Sequence, residues 1–279
     1  MRKFKEKLLQ LAMAAAVIVT CGILAFLIVT IFSRGVGSIT PEFLSTAASY
    51  RNDTIGILPN ILNTLYIIGV TLIIVLPLGV CAAVYITEYA ENHRIVKLIS
   101  FATETLTGIP SILFGLVGML LFTQLMGLKQ GILAGGLTLV MMVLPTIVTN
   151  TRESLMTVPN SYREGALALG SGKWHMIRTV VLPNSIDGIL TGCILAIGRI
   201  TGESAALLFT AGFGLQLADF FTSLQSSSAT LTVALYIYAS ERGEFAIAFG
   251  IAVILMLITL ALNITASSIT KKIQKRRSE

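Results

Sequence analysis

Hydrophobic residues in this chain fall in long, nearly unbroken runs, without the alternation or half-helical stripes of a soluble domain. The runs cover roughly residues 8–32, 59–85, 95–125, 131–149, 186–210 and 245–269. About 20 apolar residues in helical form cross the hydrocarbon core of a bilayer. The pattern therefore predicts six membrane-spanning helices. The third run is the weakest. Thr103, Glu104, Thr105 and Thr107 are polar, and Gly108-Ile-Pro110-Ser111 divides it into two helical pieces, because proline cannot donate to the preceding turn. Glu104 reads as an interfacial residue within reach of Arg94 or Lys97.

The polar stretches have their own order. The longest, residues 151–185, separates the fourth run from the fifth. Ser161 followed by Glu164 has the form of a capping box and predicts a short helix. Gly170 stands where a glycine ends a helix, Ser171 can open a second helix, and Pro183 stops it. The product is a helix pair across one face of the membrane, with Ala166, Leu167, Leu169 and Trp174 as exposed apolar side chains that need a partner surface or the bilayer interface. Residues 34–58 are Thr/Ser-rich and lack strong periodicity, and the apolar stretch 233–239 is expected to dip into the membrane or lie on it. Gly131/Gly135, Gly188/Gly192 and Gly198/Gly202 have the spacing that lets helix backbones approach closely in lipid. The organisation is an N-terminal helix and outer loop, 1–58, and a five-helix core, 59–279, containing the polar loop 151–185.

Composition excludes a soluble enzyme core: charged residues make up 12% and the mean hydropathy is +0.84, against about 25% charged residues in an ordinary soluble domain. The net charge of +6 suggests nucleic acid until the cations are placed. With the N-terminus inside, Arg2, Lys3, Lys5, Lys7, Arg94, Lys97, Arg152, Arg163, Lys173, Arg178, Lys271, Lys272, Lys275, Arg276 and Arg277 are cytoplasmic, and only Arg34, Arg51, Lys129 and Arg242 are outside. That asymmetry puts both termini in the cytoplasm and accounts for the basic balance without nucleic acid. The first run is too long for a signal peptide, and Ile31-Phe32-Ser33-Arg34 is no cleavage site. Cys21, Cys81 and Cys193 lie in apolar runs, and the histidines are only His93 and His175, so no metal or other cofactor is expected. Gly170-Ser-Gly172-Lys173 mimics a phosphate loop, but Leu167 and Trp174 occupy positions that need Gly and Ser/Thr, so the chain binds no ATP of its own.

Two charges remain inside an apolar run. Arg199 and Glu203 stand four residues apart, on one face of a continuous helix. Each costs of order 2.5–3.5 kcal/mol at such depth. Ser204 adds a nearby hydroxyl, and Ser111 opens a half-helix whose N–H groups favour an anion. Two readings stay open: a lining of an anion path, or a buried Arg–Glu pair that stabilises the bundle.

The spacing Glu164, Ala166, Gly170, Val180-x-Leu182-Pro183 resembles E-A-A-x3-G-x9-I-x-L-P, the loop signature of ABC-importer permeases, with Gly165 and Val180 as mild departures. Gly198 to Gly212 is similar to G-R-A-x-G-E-T-A-P-L-L-F-T of phosphate-importer permeases, closest to their PstA-like subunit, with Ile200, Ser204 and Ala206 as departures. Gly108 to Gly115 and Thr149 to Pro159 also look like that subunit. The resemblance implies an all-α polytopic membrane protein with a type I importer (MetI-like) core and a cytoplasmic coupling helix pair. It implies a non-enzymatic transport subunit in a bacterial or archaeal cytoplasmic membrane. The implied partners are a cytoplasmic ABC ATPase dimer engaging Glu164, Ala166, Gly170, Leu182 and Pro183, a second related permease, and an extracytoplasmic phosphate-binding protein. Another oxyanion, sulfate or molybdate, is the alternative cargo, and a stand-alone secondary transporter is the more distant one.

Overall fold

The computed structural model describes residues 2–49 and 54–278. Arg51, one of the outer cations, lies outside the described residues, as do the side chains of Arg2, Lys3, Lys275, Arg276 and Arg277.

The chain is helical almost throughout. Helix α1 (Arg2–Gly35) leads through α2 (Pro41–Ser45) and an antiparallel hairpin, β1 (Ala47–Ser49) and β2 (Thr54–Ile57), into α3 (Leu58–Val84). Helix α3 ends in a π-helical turn, Tyr85–Tyr89. Helices α4 (His93–Thr107) and α5 (Ser111–Gly118, extended in π form by Met119–Leu125) precede α6 (Ile132–Thr157). The polar segment forms α7 (Asn160–Ala168) and then one helical run made of α8 (Lys173–Met176), a π turn (Ile177–Val181) and α9 (Leu182–Asn184). Helices α10 (Ile186–Thr201), α11 (Ala205–Thr210), α12 (Phe220–Leu224), α13 (Leu231–Tyr236, with a π turn Ile237–Glu241) and α14 (Phe245–Ser278) follow.

Four stretches are long and apolar enough to span a membrane alone: Lys5–Ser38, Leu58–Tyr89, Ile132–Thr157 and Phe245–Lys272. Six are reached if each of two bent pairs counts as one span: α4 with Ser111–Leu125, bent by 103°, and Lys173–Asn184 with α10, bent by 64°. The break before Ser111 follows from Pro110, as the sequence indicates. The fifth run does not stay whole: it parts at residues 202–204 into α10 and α11. The segment 34–58 holds the small hairpin, an exception to the all-α expectation. Val233, Ala234 and Tyr238 are buried within the bundle.

Lipid offers no hydrophobic force that would drive apolar helices together, so close fit decides the packing. A Cβ on Gly79 would strike Ile147, one on Gly115 would come within 2.7 Å of the Ala206 Cα, and one on Gly188 would strike Ser154. Those glycines let α3 and α10 close on α6, and α5 on α11. Of the predicted pairs, Gly188/Gly192 does pack on α6. Gly131 instead sits in extended backbone beside the Leu224 and Ser226 carbonyls, and Gly198 and Gly202 meet no other helix. Around these contacts three apolar clusters lie along the bundle. The first, with Ile67, Leu139, Val143, Ile147, Ile200 and Leu207, joins α3, α6, α10 and α11. The second joins the ends of α3 and α6 to the polar segment. The third, with Phe43, Ile57, Leu231, Tyr238 and Ile251, closes the opposite end. Helix α1 stands outside these clusters and approaches α14 where Gly35 meets Phe249.

Candidate functional site

The helix pair α7 and α8–α9 sits under the ends of α3 and α6. Met176, Ile177 and Val181 are buried there against Ala83, Val84, Ile86, Val148 and Leu155. Ala166 and Leu182 turn toward the same cluster, so Ala166 is an inward anchor, against the expectation of an exposed side chain. Leu169 and Trp174 face outward, 91% and 59% exposed, and Leu167 and Glu164 are exposed beside them.

The capping box does not form. Pro159 occupies the N-cap and α7 starts at Asn160, so the Ser161 side chain falls within the first turn and caps nothing. The other end matches expectation. Gly170 has φ +81°, its N–H donates to the Leu167 carbonyl at 2.9 Å, and the Ser171 N–H donates to the Ala166 carbonyl at 3.1 Å. This pair of bonds is a Schellman ending. The second helix runs through Pro183 to Asn184, because the proline stands in the first turn of α9 after a π turn, where its missing N–H costs nothing. At the bend, the Ser154 hydroxyl donates to the Ser185 carbonyl at 2.7 Å and ties the segment to α6.

Sequence reasoning missed the main polar anchor, Arg163. Its guanidinium pairs with Glu88 at 2.8 Å and donates to the carbonyls of Leu155 at 2.8 Å and Val158 at 2.6 Å. Glu88 lies three residues past the predicted end of its span, within a short Thr-Glu-Tyr stretch that carried no recognised pattern. Arg152 likewise donates to the Ser100 hydroxyl at 3.0 Å and fixes α4 to α6. Glu104 is exposed and pairs with neither Arg94 nor Lys97 among the described residues.

The second locus is the break between α10 and α11. Arg199 stays on α10, partly buried, and makes no hydrogen bond or ion pair among the described residues. Glu203 lies in the break, 8% exposed, and does not pair with it. Its Oε1 accepts from the Ala206 N–H at 3.0 Å, and its own carbonyl accepts from the Thr232 hydroxyl at 2.7 Å. The two charges do not share one helix face, because Gly202 ends α10 between them. Ser204 is the residue before α11, partly buried, with no side-chain cap bond. Ser111 opens α5, also partly buried. Helix α5 packs on α11 where Gly115, in the middle of α5, meets the Ala206 backbone and the Phe209 ring. The start of α13, which carries Thr232, is fixed from the other side by α3: Asn60 and Asn63 donate to the Ala229 carbonyl at 2.9 and 3.2 Å, and the Leu231 N–H donates to the Thr64 hydroxyl at 2.9 Å.

The chain is similar to several known proteins. The family described as binding-protein-dependent transport system inner membrane component matches residues 75–279. A probable ABC transporter permease protein, YqgI of Bacillus subtilis, is 38% identical over 76% of this chain and 72% of its own length. The phosphate transport system permease protein PstA of Haemophilus influenzae is 31% identical over 94% of this chain and 93% of its own. In fold, a bacterial ABC transporter involved in import of the acidic polysaccharide alginate superposes with a TM-score of 0.70, at 15% identity, over 98% of this chain and 99% of that one. The MetNI methionine ABC transporter superposes at 0.59, with 18% identity, over 78% of this chain and 94% of that one. The broken spans, the packed helix pair and these likenesses together identify the chain as a member of the binding-protein-dependent transport system inner membrane component family, a multi-pass inner-membrane permease subunit of an ABC transporter.

Proposed function

We propose that this chain is a PstA-like permease subunit of an ATP-driven importer of inorganic phosphate, working beside a second related permease. Residues 59–279 form the translocating core, and residues 1–58 supply an accessory helix and outer loop. Both termini are cytoplasmic, in keeping with the placement of the cations. A cytoplasmic ATPase dimer binds the outward face of α7 and α8–α9, and an external binding protein delivers phosphate to the opposite side. Several relatives, including those of Haemophilus influenzae and Pasteurella multocida, carry the name phosphate transport system permease protein PstA.

The observation that supports phosphate most directly is the guanidinium of Arg199, which has no hydrogen-bond or ion-pair partner among the described residues. A cation with no internal partner in a membrane bundle favours an anion that can reach it. Its planar fork suits two phosphate oxygens at once. Glu203 is held in the neighbouring break by its bond to Ala206, and its second carboxylate oxygen makes no hydrogen bond among the described residues. That oxygen accepts a hydrogen bond from the P–OH group that phosphate, unlike sulfate, carries near neutral pH. Ser111 and Ser204 supply hydroxyls along the same path. The anion exchanges its hydration shell for these groups in passing and forms no covalent bond.

Phosphate uptake by cells producing Arg199→Gln tests this reading. Uptake is expected to fall by about tenfold or more, the loss of at least one charge-assisted contact, while the amount of assembled complex stays constant. Arg199→Lys, which keeps charge and loses the fork, should retain part of the rate. Normal uptake by Arg199→Gln would contradict the assignment. Sulfate and molybdate added as competitors should leave wild-type uptake unchanged.

A further inference from the structure

The end of α3 is gripped by both members of the helix pair. Arg163 of α7 takes hold of Glu88, and Lys173 at the start of α8 sits 4.9 Å over the ring of Tyr89, the next residue. Arg163 does more than pair. With one guanidinium it bonds a carboxylate on α3 and two carbonyls at the end of α6, those of Leu155 and Val158. The pair is sheltered, with side chains 16% and 6% exposed. Solvent screens such a pair less than it screens a surface pair. Apolar contact alone would allow α7 to slide over the α3 and α6 ends, whereas a planar fork with fixed acceptors resists sliding and rotation. At its other end α3 holds Ala229 and Leu231, at the start of α13, through Asn60, Asn63 and Thr64, and Thr232 in the first turn of α13 donates to the Glu203 carbonyl. One helix thus connects the helix pair to the break beside Arg199.

We propose that the Arg163–Glu88 clamp is a positioning device for coupling: it makes α3 and α6 move with α7 when the ATPase moves α7. Neither residue touches the transported anion. The proposal rests on the reading of α7 and α8–α9 as the ATPase-engaging segment.

The test uses the whole complex with its binding protein in proteoliposomes, measuring ATP hydrolysis and phosphate uptake together. The variants are Glu88→Gln, which keeps shape and leaves the carbonyl bonds of Arg163 intact, and Arg163→Lys, which keeps charge and loses the fork. Expected is co-purification of the ATPase at wild-type level, hydrolysis near the wild-type rate, and phosphate carried per ATP reduced about tenfold in Glu88→Gln, as for loss of one hydrogen-bonded charge contact. Arg163→Lys should give a smaller loss. An unchanged ratio in Glu88→Gln would overturn the clamp, and so would a parallel fall of hydrolysis and uptake or failure of that variant to retain the ATPase, since each marks a structural role only. A wild-type complex without ATP-driven phosphate uptake, measured first, would overturn the functional reading and the clamp with it.

Discussion

Glu203 illustrates how one glycine changes the meaning of a charge. Read along a continuous helix, it faces Arg199; with the helix ended at Gly202, it turns back to the Ala206 N–H and caps α11. Removing that cap should cost about 0.5–2 kcal/mol, as for other helix caps. Glu203→Ala is therefore expected to lower the melting temperature of the purified complex, while Glu203→Gln, which keeps an amide oxygen as acceptor, should lower it less. Equal shifts for the two variants would argue against the cap. Both ionisable groups were legible because charge is rare in an apolar run, but their geometry was not, because the i, i+4 rule holds only while the helix lasts. Ser161 failed for a comparable reason. A cap must stand outside the helix, and Pro159 took that place two residues earlier. The Arg163–Glu88 bond joins residues 75 positions apart, and no local pattern encodes a contact at that separation.

Among the elements, hydropathy located the four helices that are long and apolar enough to span a membrane alone, since length and apolarity are properties of the segment itself, and Pro110 marked the first of the breaks at 108–110 and 202–204. The second break needed tertiary information. Helix α11 is short, and it is placed by the contact of Ala206 with Gly115 as much as by its own sequence. The burial of Val233, Ala234 and Tyr238 was hidden for the same reason: neighbours distant in the chain fix it. Gly115 gives the sharpest test at this scale. A side chain there must push α5 away from the Ala206 backbone, 2.7 Å from where its Cβ would stand. Overpacking of this kind costs about 1–3 kcal/mol. Gly115→Val should lower thermal stability by that amount and reduce uptake, whereas Gly198→Ala, with nothing within 4 Å of its new Cβ, should not destabilise the chain. A Gly115→Val complex as stable and active as wild type would show that α5 and α11 do not need this approach.

Across the whole molecule, the polar helix pair and the break at Arg199 occupy different levels of one bundle, with α3 running between them. The pair carries a large exposed apolar face around Leu169 and Trp174. A second protein covering that face would bury it. Leu169→Asp is expected to weaken co-purification of the ATPase by about tenfold, given the roughly 1.5–3 kcal/mol gained on burying a leucine, while leaving the membrane bundle intact because Leu169 makes no part of the clusters. The measurement closest to the central claim is uptake of radiolabelled phosphate into proteoliposomes holding this chain, its partner permease and the ATPase, with binding protein and ATP on the appropriate sides. Phosphate should accumulate only with hydrolysable ATP, and Arg199→Gln should abolish most of the accumulation. Accumulation that continues without ATP, or ATP hydrolysis stimulated by the loaded binding protein with no phosphate moved, would contradict it.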